Sequence, residues 1–228
     1  MLVEIWADIA CPWCYIGKRR FEGALARFEQ RERVEVAWRS FELDPAAPRT
    51  HGVSMNALLA RKYGMPESQA AALNEHVTAE AAKEGLEYHL EFARPGNTFD
   101  AHRLTHLAAS QRLRTVALER LMRAYFTEGA EIGDHATLAR LVAEVGVDAG
   151  AARAVLAGDA YAADVRADER RARALGVSGV PFFALDARYG VSGAQPSEAL
   201  LDALRRAWES REGIAASSGG VATRAPGS

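Results

Sequence analysis

Apolar and polar positions follow two periods along this chain. Residues 2–7, Leu-Val-Glu-Ile-Trp-Ala, form a short, mostly apolar run that predicts a buried strand over 2–8. Residues 12–30 carry a helical pattern, and 34–40 (Val-Glu-Val-Ala-Trp-Arg-Ser) alternate as a second strand would. A proline-containing connector follows over 41–48. From 54 to 158 no strand pattern occurs. The Ala-, Leu- and Arg-rich sequence predicts helices over 54–63, with Ser54 as N-cap, and over 66–84, ended by Gly85. Further helices are predicted over 99–111, 116–127, 135–145 and 150–156, and another over 161–175 closing at Gly176. Residues 181–185 and 189–192 read as strands joined by the turn Asp186-Ala187-Arg188. An amphipathic helix over 197–211 closes the pattern, and the Ser- and Gly-rich tail from Gly213 is expected to be disordered.

The order is strand-helix-strand, a long helical block, then helix-strand-strand-helix. Neither β-containing part is large enough to fold alone. Together they predict an α/β fold with one four-stranded mixed sheet flanked by helices. A right-handed crossover makes the first two strands parallel neighbours, and the short turn makes the last two antiparallel. Residues 1–45 and 160–212 then form one discontinuous domain, 46–159 an inserted all-helical domain, and 213–228 the tail.

Composition narrows the partners. A net charge of -2 gives no reason to expect nucleic acid or an anionic membrane. No segment approaches 18 continuous apolar residues, so no membrane span is expected. Met1 leads directly into the first strand without a secretory signal, which implies a cytoplasmic protein. In that compartment structural disulfides are rare, and a Cys-x-x-Cys pair is catalytic or metal-binding.

The chain has two cysteines, in Cys11-Pro12-Trp13-Cys14, between the first strand and the first helix. That is the placement of a redox dithiol. At a helix start the first N–H groups lack intrahelical acceptors and the macrodipole is positive, which favours a thiolate at Cys11. Pro12 suits the first helical turn, where its missing N–H costs nothing. Cys14, one turn further in, is the more buried, resolving thiol. Asp8, three residues before Cys11, has two readings of equal standing. It tunes the thiols or relays a proton to Cys14, or it is a strand-end residue bonded to nearby backbone N–H groups.

Four motifs resemble the DsbA-like group of the thioredoxin superfamily, in its FrnE-type branch. They are Asp8-x-x-Cys11-Pro12-Trp13-Cys14, Asn97-Thr98-x-x-Ala101-His102-Arg103, residues 176–183 (Gly-Val-Ser-Gly-Val-Pro-Phe-Phe) and residues 189–195 (Tyr-Gly-Val-Ser-Gly-Ala-Gln). The resemblance spans nearly all of 1–212. It implies a thioredoxin fold carrying the helical insertion, and thiol–disulfide exchange with Cys11 as nucleophile and Cys14 as resolving thiol. It also implies a cis Pro181 beside the cysteines and Val180 as a substrate-backbone contact; the bland alternative is a trans edge-strand proline. Asn97 and His102 are placed near the cleft between domains, where His102 would contact substrate or act on Cys11 by its charge. Trp13 replaces the imidazole of the DsbA motif, so a site less oxidising than DsbA is expected, within roughly -120 to -270 mV.

No tightly bound cofactor and no metal are expected, with glutathione a candidate co-substrate. The partner is a thiol- or disulfide-containing protein or small molecule, acted on by a monomer or dimer. Three other readings compete. His102 and His106 share a helix face and could join the cysteines around zinc, but nothing in the sequence brings them to the thiols. Glutathione-dependent isomerases of the 2-hydroxychromene-2-carboxylate type and kappa-class glutathione transferases share the architecture. They typically carry serine where this chain has Cys11. Trp6, Trp13, Tyr15 and Phe41 could line an apolar cleft for such chemistry, although core packing is the commoner role. A polypeptide-binding chaperone would use Met55, Leu58, Leu59 and Met65, but helical spacing assigns most of these to the core.

Overall fold

The structure, a computed structural model, describes residues 1–218, with side chains described to residue 211. Strand β1 (Leu2–Ala7) leads into helix α1 (Pro12–Arg27) and strand β2 (Glu35–Ser40). Six helices follow: α2 (Met55–Tyr63), α3 (Glu67–Lys83), α4 (Phe99–Ser110), α5 (Arg114–Phe126), α6 (His135–Ala143) and α7 (Ala149–Ala157). Helix α8 (Ala162–Ala174), strands β3 (Phe182–Leu185) and β4 (Tyr189–Ser192), and helix α9 (Ser197–Ser218) complete the chain.

The four strands form one mixed sheet in the order β2-β1-β3-β4. β1 pairs in parallel with β2, antiparallel with β3, and β3 antiparallel with β4. As a central strand, β1 is buried on both faces. Val3 and Ile5 join the main core, which also holds Phe21, Phe28, Phe183, Leu204 and Trp208. On the opposite face Trp6 packs with Ala172, Val177 and Ala184 and donates its indole N–H to Asp168 O at 2.9 Å. Glu4 shares that face, 1% exposed, and is neutralised by Arg39 and Arg171. That pairing is why β1 tolerates a carboxylate in its middle.

Two element ends differ from the sequence expectation by more than two residues. α1 stops at Arg27 because Phe28 turns extended (φ -76°, ψ 127°), buries its ring against Trp208 at 6.0 Å, and leads into a 3-10 turn over Arg31–Arg33. α9 continues through Gly213 to Ser218, five residues past the expected start of the tail. One glycine costs a helix only about 1 kcal/mol, and Ala215 and Ala216 continue it. The rest of that tail, 219–228, lies outside the described residues.

Candidate active site

The end of β1 and the start of α1 set the geometry. Cys11 is the N-cap of α1, in extended conformation (φ -90°, ψ 113°), and Pro12 is the first helical residue. The Cys11 N–H donates to Asp8 O at 3.2 Å, and the Cys14 N–H to Cys11 O at 3.0 Å. Both cysteines are free thiols. Cys11 is 4% exposed and Cys14 wholly buried, so only Cys11 presents an edge to a reactant. Burial, then the adjacent Cys11 sulfur, pushes the Cys14 thiol well above its ordinary range. The two thiols therefore differ: one is reachable at a helix N-terminus, the other protonated beneath it.

The loop before β3 faces Cys11. The Val180–Pro181 peptide bond is cis. The Cys11 thiol donates to Val180 O at 3.7 Å. α1 presses on this loop through Gly17, where an added Cβ would stand 2.8 Å from Pro181 Cγ. From the helical segment, the Tyr88 hydroxyl donates to Pro12 O at 2.8 Å and clamps the first turn of α1. Burial and the neighbouring Cys11 hold the Tyr88 phenol far above its usual range, so it stays a donor.

Asp8 lies behind the thiols, 2% exposed. One carboxylate oxygen accepts from Ala10 N at 3.2 Å and the other from Leu43 N at 2.7 Å. His102 Nε2 stands 3.5 Å from Asp8 Oδ1, within ion-pair range but without hydrogen-bond geometry. Burial pushes the Asp8 carboxyl up, yet His102 and the two N–H donors outweigh it and hold the group below its ordinary value. Glu42 is buried and ion-paired with Arg166, which also binds Glu169 at 2.9 Å. Burial leaves the Glu42 carboxyl above its usual range despite Arg166.

A cleft of about 520 Å³ opens on Cys11. Asp8, Pro12, Trp13, Gly179 and Val180 form the thiol side. Leu58, Leu59 and Tyr63 of α2, with Leu73 and Val77 of α3, form the facing wall. No residue of α2 is buried, although the helix is half apolar. Trp13, Leu43, Tyr63 and Leu73 are four of the eight large hydrophobic side chains left exposed among the described residues, and all four line this cleft. His76 of α3 tilts against the Trp13 ring, centroids 6.3 Å apart.

Cys11, Cys14, Pro12, Trp13, Asp8, Val180 and His102 are thus gathered within one region. Asn97 does not itself line the cleft, although its neighbours Gly96 and Thr98 do: its Oδ1 accepts from Phe99 N at 2.8 Å at the start of α4, and its Nδ2 donates to Glu42 Oε1 at 3.5 Å. Trp6, Tyr15 and Phe41 do not line the cleft either. Trp6 and Phe41 pack on the far face of the sheet, and Tyr15 stacks with Tyr88 and Phe126. Leu58 and Leu59, expected in the core, face the cleft instead, and Met55 lines it while also packing against the core. His102 and His106 diverge, His106 Nε2 lying 3.1 Å from Asp168 Oδ2 on the other side of β2. Among the described residues no three Cys, His, Asp or Glu side chains are grouped to hold a metal. Tyr88, His76 and the α2–α3 wall escape a reading of the sequence. The one available signal is the half-apolar, short α2, flanked by Gly52 and Gly64, both at positive φ.

A four-stranded thioredoxin-like sheet with a Cys-Pro-Trp-Cys pair at the start of α1 defines the class of fold and site. The DSBA-like thioredoxin domain family model matches residues 2–205, and the chain belongs to that family. It is similar to a probable DsbA oxidoreductase from Streptomyces coelicolor, with 49% identity over 92% of this chain and 90% of that one, and a TM-score of 0.89. The cytosolic disulfide reductase DsbM from Pseudomonas aeruginosa, solved with GSH, is 20% identical over 90% of this chain and all of its own, with a TM-score of 0.64. A 2-hydroxychromene-2-carboxylate isomerase is 15% identical over 98% of this chain and all of its own, at 0.63. The last two likenesses show a shared fold.

Proposed function

We propose that this protein is a FrnE-type thiol–disulfide oxidoreductase working through Cys11 and Cys14. The observation that carries the reading is the inequality of the two thiols. Cys11 lies at the N-terminus of α1 at the edge of an open cleft, while Cys14 is sealed below it with its proton held. In the reducing direction the Cys11 thiolate attacks a substrate disulfide, forming a mixed disulfide and releasing one substrate thiol. Cys14 then attacks Cys11 Sγ, the second substrate thiol leaves, and the Cys11–Cys14 disulfide remains. The oxidising direction is the reverse. Val180 O, already an acceptor for the Cys11 thiol, is positioned to pair with an extended substrate backbone.

Residues 1–45 and 160–212 supply the thiols and the cis-proline loop in this reading, and the helical segment 46–159 supplies the facing wall. Glutathione is a fitting co-substrate for recycling, a role supported by its presence in the DsbM structure. Trp13 offers no positive charge to a thiolate, which favours reduction or isomerisation over strong oxidation. Such activity suits the cytoplasm, and no helix among the described residues is long and apolar enough to cross a membrane.

Trapping tests the reading. Cys14→Ser incubated with oxidised glutathione is expected to accumulate a mixed disulfide on Cys11, seen as the mass of one glutathionyl group. Cys11→Ser is expected to accumulate none. Equal labelling of both variants contradicts the assignment.

A further inference from the structure

The wall that faces Cys11 is left uncovered. Helix α2 has 9 residues, none of them buried, and an isolated helix that short is marginal in water. Ser54 caps its first turn, and Asn74 Nδ2 of α3 donates to Asn56 Oδ1 at 2.6 Å. These polar ties fix the helix while its apolar side chains, Leu58, Leu59 and Tyr63, stay turned to the cleft. With Leu43 and Leu73 they make an exposed apolar surface of the kind that marks a binding site.

One charge in this surface has no counterpart. Lys62 of α2 lines the cleft, and its Nζ rests 6.0 Å from the centre of the Tyr63 ring. Among the described residues it makes no ion pair, whereas the chain's other two lysines do: Lys18 with Glu22 and Glu119, and Lys83 with Glu80. The two carboxylates of the cleft are engaged elsewhere. Asp8 is held by the Ala10 and Leu43 N–H groups, and Asp44 Oδ1 accepts from Ala46 N at 3.2 Å. His51 and His76 are the other basic side chains of the lining. The cleft therefore offers an apolar face and, beside it, an ammonium group without a carboxylate.

We propose that the disulfide presented to Cys11 is a compact molecule with an apolar body and a carboxylate, the body lying on Leu58, Leu59 and Tyr63 and the carboxylate meeting Lys62. Lys62 is then a specificity-determining residue. The inference rests on the dithiol reading above and names a substrate class for it. The cleft volume of about 520 Å³ falls within the ~300–1,000 Å³ of small-molecule sites, for which an apolar lining with few polar groups is typical. A lysine suits such a molecule, since its stem lies along the apolar body while the ammonium stays in water. The exchange balances. The bond between Cys11 Sγ and a substrate sulfur forms as the substrate S–S bond breaks, and Cys14 completes the release. The substrate disulfide takes up the two electrons and two protons that the cysteine pair gives up.

The test uses the reduced full chain with three probe disulfides. 5,5′-Dithiobis(2-nitrobenzoate) has an aromatic body and carboxylates, 4,4′-dithiodipyridine the body alone, and oxidised glutathione carboxylates without an aromatic body. Thiol release is read by absorbance in stopped flow for the first two and by mass-shift trapping for the third. Each rate is divided by that of 2-mercaptoethanol with the same probe, which removes intrinsic reactivity. The nitrobenzoate probe is expected to run at least about tenfold ahead of oxidised glutathione. Lys62→Met keeps the stem and removes the charge. It is expected to slow the nitrobenzoate probe about fivefold, the factor of one water-exposed charge contact, and 4,4′-dithiodipyridine less than about twofold. Lys62→Arg is expected to restore the rate. Arg61→Met, at the exposed neighbouring position outside the cleft lining, is expected to change no rate by more than about twofold. Equal slowing of all three probes by Lys62→Met, no slowing of the nitrobenzoate probe, or the same slowing by Arg61→Met overturns the inference. So does a higher relative rate with an unstructured disulfide-bonded polypeptide that Lys62→Met leaves unchanged. Thiol release from no probe, or release that persists in Cys11→Ser, overturns the dithiol reading instead.

Discussion

Gly17→Ala isolates the contact between α1 and the Pro181 loop. The new Cβ would lie 2.8 Å from Pro181 Cγ, 3.4 Å from Pro181 Cβ and 3.5 Å from Ala194 Cβ. Relief requires α1 and the loop to separate by about 0.7 Å, because carbon atoms rest comfortably only near 3.5 Å and beyond. Neither side yields easily: a proline ring has no rotamer to change, and Gly17 sits on the buried face of α1. Overpacking of this kind costs about 1–3 kcal/mol. Replacing a helical glycine by alanine returns about 0.5–1 kcal/mol. The net expectation is destabilisation by roughly 0–2.5 kcal/mol. Gly23→Ala is the internal control. It lies on the exposed side of the same helix, and its Cβ would meet only Ser197 Oγ at 3.4 Å. It is expected to stabilise by up to about 1 kcal/mol. Urea denaturation of the reduced proteins measures both. Because the same loop carries Val180 O beside the Cys11 sulfur, Gly17→Ala is also expected to slow attack by Cys11. The slowing should be about two- to tenfold, short of the 10²-fold that a 1 Å misplacement can cost. A Gly17→Ala protein as stable as its Gly23→Ala counterpart would refute the packing argument.

Two more expectations follow from the site. The folded Asp8 carboxyl is held below its unfolded value, so its contribution to stability is complete above the unfolded titration near pH ~4 and fades as pH falls through the folded one. Stability of Asp8→Asn, measured from pH 2 to 7, should therefore fall less steeply on the acid side than that of the unaltered protein; parallel curves contradict this. Tyr63→Ser with Leu73→Ser removes exposed apolar surface from the cleft wall, so stability should change by less than about 0.5 kcal/mol per site. KM for an apolar peptide disulfide should rise while that for oxidised glutathione moves little, and equal changes for both substrates contradict a role for the wall.

What the sequence makes legible depends on how local its cause is. The strand–turn–helix around Cys11 is set by neighbours in the chain: an apolar run, Pro12 at the first helical position, and a helical pattern behind it. The order of β1 and β2, and the antiparallel β3–β4 pair, follow from connection length. The cleft wall does not. Met55, Leu58 and Leu59 have the spacing of a core-facing stripe, and only the arrangement of the helical segment shows that they face the thiols. His102 and His106 likewise share one helix face in sequence terms. In three dimensions they point to different carboxylates, Asp8 and Asp168, because α4 is wedged between the thiol site and α8. Asn97 lies in the right motif, but its side chain is divided between the start of α4 and Glu42 and does not line the cleft. Trp6, for which core packing is the commoner of two sequence readings, is core: it centres the far face of the sheet, since strand alternation sends it opposite to Ile5.

Equilibration of the purified protein with graded glutathione buffers, followed by trapping of free thiols with a mass-shifting reagent, decides whether Cys11 and Cys14 form one redox couple. One reversible two-electron transition that requires both cysteines is expected, with a midpoint between about -120 and -270 mV. Failure to form the Cys11–Cys14 disulfide at any poise would contradict it.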